Sequence, residues 1–274
     1  MRYNFLFLLL LLAVFRSYSQ DIYGLEKSKK FASYLFKSGQ YDLSAMEYER
    51  LLFLDEDNDT LKYNLINSYF QNEQIDKALD RTQYLYPSLA DLSIRMAELY
   101  TQILILGGRF STFDNEFKEL PLKENDKRIY QFHKDFLSQN WEQVKQGTIQ
   151  LSEDDHPSMG NLLMLYNKHE SYKPKKPWVA GLLSAVIPGG GKFYTGNWKD
   201  GAFSFIAIGG LAFQSYRGFS KNGVSSASGW IFGAVATGFY AGNIYGSAKS
   251  AQVRNTEFWL EIEKDAKDII RSSY

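Results

Sequence analysis

The chain has no cysteine among its 274 residues. That absence excludes disulfides, cysteine-based zinc sites, a thiol nucleophile and a lipidated N-terminal cysteine. Histidine is almost as scarce: His133, His156 and His169 stand far apart, without the paired spacing of a metal site. Asp154-Asp155-His156 precedes Pro157 and reads as a solvated or helix-capping loop. Net charge is missing too, since 31 basic side chains balance 31 acidic ones. A balanced chain has no electrostatic basis for nucleic acid as its main partner. No Gly-x-Ser-x-Gly elbow or dinucleotide fingerprint occurs in a strand-turn-helix context. Nothing nominates a catalyst or a cofactor, and a non-enzymatic role is expected.

What the chain does contain falls into unlike parts. Met1–Ser19 reads as a secretory signal peptide: Arg2 is the positive n-region and Phe5 to Phe15 an unbroken apolar run. Ser17 and Ser19 are the small residues before a cleavage site at Gln20. An uncleaved anchor flanked by Arg16 is the alternative. Residues 20–170 are polar and poor in glycine and proline, with apolar residues at helical spacing. Phe31, Ala32, Leu35, Gly39, Tyr41, Ser44, Tyr48 and Leu51 form a template that returns 34 positions later. Its second copy is Leu65, Ile66, Tyr69, Glu73, Ile75, Ala78, Thr82 and Leu85. A third copy runs from Tyr100 through Gly108, Phe110, Phe113 and Phe117 to Pro121. A weaker fourth uses Phe136, Trp141, Val144, Thr148 and Leu151.

This pattern resembles the tetratricopeptide (TPR) repeat family over about half the chain, with Glu73 in place of a turn glycine and the large Phe113 where a small residue is usual. The resemblance implies helix pairs stacked into a solenoid; an irregular α-bundle is the plainer reading. It also implies a groove lined by the first helix of each pair, presenting Lys29, Phe36, Tyr63, Asn67, Phe70 and Arg95 to a protein or peptide partner. Lys29, Asn64 and Arg95 match a carboxylate clamp, whereas Ser33 and Leu99 do not, so no clamp is expected.

At residues 171–177 two prolines and three lysines read as a linker. Residues 178–250 are then rich in glycine and aromatics. Trp178 to Ile187 is a short apolar run, and Gly201 to Tyr216 and Gly229 to Gly246 are apolar runs slightly short of or just at spanning length, with tryptophans and tyrosines at the segment ends. They predict a transmembrane helical hairpin. Gly229 and Gly233 lie on one small-residue stripe, and Gly238, Gly242 and Gly246 on an adjacent one. Both are expected to pack the hairpin on itself, with Gly209 and Gly210 as the receiving surface, or to form a homo-oligomer seam. Pro188, Gly189, Gly190 and Gly191 form a turn at which the short first run would re-enter. The stretch from Ile187 to Gly201 resembles the glycine-rich turn of small bacterial TM2-like membrane domains, which implies membrane residence and no chemistry. Residues 251–274 carry Phe258, Ile262, Ala266 and Ile270 on one face, predicting an amphipathic helix.

The expected fold is therefore all-α: a TPR-like helical solenoid, a transmembrane hairpin and an amphipathic helix. The expected role is a membrane-tethered scaffold or adaptor binding a protein partner in the bacterial cell envelope. The alternative is a hairpin that forms a pore or assists membrane-protein insertion or assembly.

Overall fold

The computed structural model describes residues 24–274. The signal-peptide reading of Met1–Ser19 falls outside them. The described residues are helical, with no strand among them. The described residues divide into two compact units, one ending at Asn140 and the other spanning Trp141–Tyr274.

The first unit is a succession of helix pairs. Helices α1 (Leu25–Lys37) and α2 (Tyr41–Leu54) form the first, and α3 (Asp59–Gln71) and α4 (Ile75–Leu85) the second. Helices α5 (Ile94–Leu106) and α6 (Phe110–Glu116) form the third, and α7 (Glu124–Leu137) follows. Each first helix ends in the same way. A residue in the left-handed region stops it at Gly39 (φ +76°), Glu73 (+58°), Gly108 (+68°) and Gln139 (+58°). The next amide then reaches back across the turn, as Gln40 N to Leu35 O, Gln74 N to Tyr69 O, Arg109 N to Leu104 O and Asn140 N to Asp135 O. These bonds satisfy helix-end carbonyls that would otherwise lack partners. Starts are set by capping side chains where the chain supplies them. Asn58 Oδ1 accepts from Leu61 N and Ser93 Oγ from Met96 N.

The pairs meet through buried small and apolar residues. Ala32, Ala45, Tyr48, Leu51, Leu52, Leu61 and Leu65 make one continuous cluster. Ser44 is fully buried because the helices approach closely there, and its hydroxyl lies 3.1 Å from both Ala32 O and Ser68 Oγ. Phe113 takes the corresponding place in the third pair and is equally buried, stacked on Phe117 at 4.1 Å. Arg81 of α4 bonds Glu49 of α2 at 2.5 Å, and Glu49 also accepts from Tyr69.

The second unit comprises α8 (Trp141–Gln150), α9 (Met159–Ser171), α10 (Pro177–Val186), α11 (Gly190–Tyr194), α12 (Trp198–Asn222) and α13 (Ala227–Ser272). The lysine-proline run of the expected linker is tied down. Asn255 accepts from Lys175 N at 2.8 Å and from the Tyr172 hydroxyl at 2.8 Å, and donates to Lys175 O at 2.9 Å. Residues 251–274 are no separate helix: α13 runs through them, burying Ile262, Ala266 and Ile270 as the periodicity predicts.

The expected transmembrane hairpin is not found. No helix among the described residues is long and apolar enough to cross a membrane. Helix α10 has ten residues, about 15 Å of rise. In α12 the uncharged run from Gly201 to Tyr216 lies between Asp200 and Arg217 and rises only about 24 Å, against a hydrocarbon core of about 30 Å. Helix α13 is long, but glycines, tyrosines and Asn243 dilute its apolar part.

Candidate binding surfaces

In the first unit the predicted groove residues do not share one fate. Tyr63 and Arg95 come together, with the guanidinium 3.8 Å from the ring centroid. That stacking holds a cation over an aromatic face at an open surface. Glu98, one turn beyond Arg95, carries a raised carboxyl pKa. Burial is the main cause and Asp126 adds to it, while Lys123 and Arg95 oppose it. Arg95, Glu98, Lys123 and Asp126 thus form a charged group beside Tyr63, drawn from α5 and the start of α7. Lys29 is engaged locally, 3.4 Å from Glu26 and 3.7 Å from Asp55. Asn67 accepts from Gln71 in its own helix, and Phe36 lies edge-on to Tyr41.

Phe70 does not line a surface; it is buried. Its helix α3 is enclosed by α2, α4 and α5, whereas α1, carrying the equivalent Phe36, packs mainly on α2. Spacing placed the two phenylalanines alike, and packing separates them. Sequence reasoning also missed an open depression of about 410 Å³ lined by Glu49, Phe53, Lys62, Arg81 and Tyr84 among others.

The second unit offers a different surface, because α10, α12 and the first part of α13 bury mainly small and polar residues and expose large apolar ones. In α10, α12 and the first part of α13 the buried positions are mostly small or polar, among them Gly181, Ser184, Ser204, Ser215, Asn243 and Ser247, beside Ala180, Ala236, Ala251 and the larger Ile208. Ser184 donates to Ser247 at 2.7 Å and accepts from Gly191 N at 2.9 Å; Ser215 donates to Gly229 O at 2.8 Å. Outside stand Val186 (72% exposed), Phe203 (69%), Ile206 (73%), Trp230 and Phe239. Large apolar side chains exposed in this number on neighbouring helices point to an interaction surface.

The glycines divide in a way their spacing did not reveal. Gly229 and Gly233 do lie at the α12–α13 contact, where added methyl groups would meet Phe219 and Ser215. Gly238, Gly242 and Gly246 face open space, as do Gly209 and Gly210. They therefore do not pack the hairpin on itself. The tightest glycines of the second unit are Gly189, Gly190 and Gly191 of the Pro188–Gly191 turn. A methyl on Gly191 would sit 1.9 Å from Ala180 O and 2.7 Å from Ser247 Cβ. This turn joins α10 to α11.

No protein-family model matches this chain, and no curated protein or solved structure matches it either. The tetratricopeptide and TM2-like resemblances accordingly rest on the quoted residues alone.

The histidines have local roles. Asp155 accepts from Ser152 N at 2.7 Å and from its hydroxyl at 3.0 Å, closing a capping box, and His156 Nδ1 lies 2.8 Å from Ser158 Oγ. His169 stacks on Trp141 at 3.8 Å and lies against Trp259, while His133 is buried in α7. Among the described residues no group of three or more His, Asp or Glu side chains is placed to hold a metal ion.

Proposed function

We propose that this chain is a non-catalytic adaptor of the cell envelope. Its first unit binds a segment of another protein, and its second unit attaches to a membrane without crossing it. The observation that carries this reading is the contrast in polarity between the first unit and the α10, α12 and early α13 part of the second. The first buries a core of leucine, isoleucine and phenylalanine side chains as a unit bathed in water does. In the second, α8, α9 and the end of α13 bury Val144, Leu162, Ile262 and Ile270 in the ordinary way, but α10, α12 and the first half of α13 bury mainly serine, glycine, alanine and asparagine and turn phenylalanine, isoleucine and tryptophan outward. Apolar area exposed to water is unfavourable by roughly 25 cal/mol per Å², so such an exterior is stable against lipid or an apolar partner.

The Tyr63–Arg95 stack supports protein binding by the first unit. Aromatic and arginine side chains dominate recognition energetics, and truncating a hot spot typically costs about 2 kcal/mol or more. Phe70, being buried, is no probe of this surface. The test is crosslinking capture from intact membranes with Tyr63→Ala/Arg95→Ala beside the unaltered chain. The double variant is expected to lose captured partner at least ten-fold while keeping its helical circular-dichroism spectrum. Undiminished capture by a folded variant would remove this face from the proposal.

A further inference from the structure

We infer that the second unit docks on anionic phospholipid, through a basic and aromatic collar that binds the headgroup phosphates. The inference rests on the proposed membrane attachment and adds to it the chemistry of the lipid.

The collar is assembled by tertiary structure. Lys175 is fixed through its backbone by Asn255, and its ammonium lies 4.7 Å from the Tyr194 ring centroid. Lys176 N donates to the Tyr194 hydroxyl at 3.2 Å. The Arg254 guanidinium lies against Gly196, two residues further on. Lys192 and Lys199 flank this point on α11 and at the start of α12. From residue 173 to residue 200 there are five lysines and one acidic residue, Asp200. Trp178 and Trp198, both more than half exposed, stand beside these cations, and Lys199 lies over the Trp198 ring. A shallow depression of about 250 Å³ opens there, lined by Gly196, Asn197, Trp198, Lys199 and Asp200.

Two features select lipid over another occupant. Tryptophan beside lysine and arginine, bordering an apolar surface, suits the boundary between headgroups and acyl chains. The apolar band that begins at Leu182, Val186 and Phe203 is continuous with the collar in sequence and belongs to the same helices. Insertion of these side chains to interfacial depth needs no helix to cross the bilayer.

The test is flotation of the purified full chain with vesicles of phosphatidylcholine alone or with phosphatidylglycerol admixed. Binding is expected to be far stronger with phosphatidylglycerol and to weaken as salt is raised, because exposed charges are screened. Each lysine near an anionic surface contributes about five-fold in partitioning. Lys175→Gln/Lys176→Gln/Lys199→Gln should therefore lower binding to the anionic vesicles on the order of a hundred-fold. Equal, salt-insensitive binding to both vesicles would overturn the headgroup inference and leave the attachment standing. Binding to neither would overturn both. If the triple variant misfolds, the salt dependence of the unaltered chain decides alone.

Discussion

Gly191 and Gly242 show how little a glycine's neighbours in sequence reveal of its purpose. Both lie in runs of small residues, yet Gly191 is pressed between Ala180 and Ser247, whereas Gly242 has nothing near it. The turn before α11 also needs Gly189 in the left-handed region at φ +85°, with its Cα hydrogen aimed at Gly201. Overpacking such a contact costs about 1–3 kcal/mol. Gly191→Ala is therefore expected to lower the stability of the second unit by at least that amount in chemical unfolding. Gly238→Leu/Gly242→Leu should stay within about 0.5 kcal/mol of the unaltered chain, as surface changes usually do. The reverse ranking would contradict this division of the glycines. The four-residue spacing identified a stripe correctly but not which side of α13 it occupies. The positions facing inward are Ala236, Asn243, Ser247 and Ala251, a parallel row with less glycine. Only packing distinguishes the two rows.

At the scale of elements, the helix pairs of the first unit were the most legible part of the chain. The turn positions Gly39 and Gly108 stand out because glycine tolerates positive φ, and the apolar spacing around them changes phase there. Glu73, which departs from that pattern, nonetheless adopts φ +58°, and Gln139 does the same. The helices on either side over-determine those turns. An L-residue in this region is strained by roughly 1–2 kcal/mol relative to glycine, partly offset by glycine's greater freedom when unfolded. Gln139→Gly is expected to raise stability by up to about 1 kcal/mol, read from the urea midpoint at unchanged m-value. An unchanged or lowered midpoint would mean that the Gln139 side chain makes compensating contacts. Phe70 marks the limit of this legibility: spacing put it beside Phe36 in a groove, but enclosure of α3 by its neighbours buries it. The span estimate failed for a related reason. Uncharged length was visible, but glycine, tyrosine and asparagine within α13 leave it short of the apolarity a crossing requires.

For the whole molecule, the central proposal is that one unit works in water and the other seats its inverted surface in lipid. The chain's lack of cysteine makes a direct measurement available, since any introduced thiol is unique. Ile206, Phe213 and Phe53 are all exposed, the first two on α12 and the third on α2. Ile206→Cys, Phe213→Cys and Phe53→Cys, each labelled with an environment-sensitive fluorophore, should respond differently when phosphatidylglycerol-containing vesicles are added. Probes at residues 206 and 213 are expected to shift to the blue and become accessible to lipid-borne quenchers, while the probe at residue 53 keeps its aqueous emission. Aqueous emission at all three positions, with the vesicles shown to be in excess, would contradict the proposed attachment.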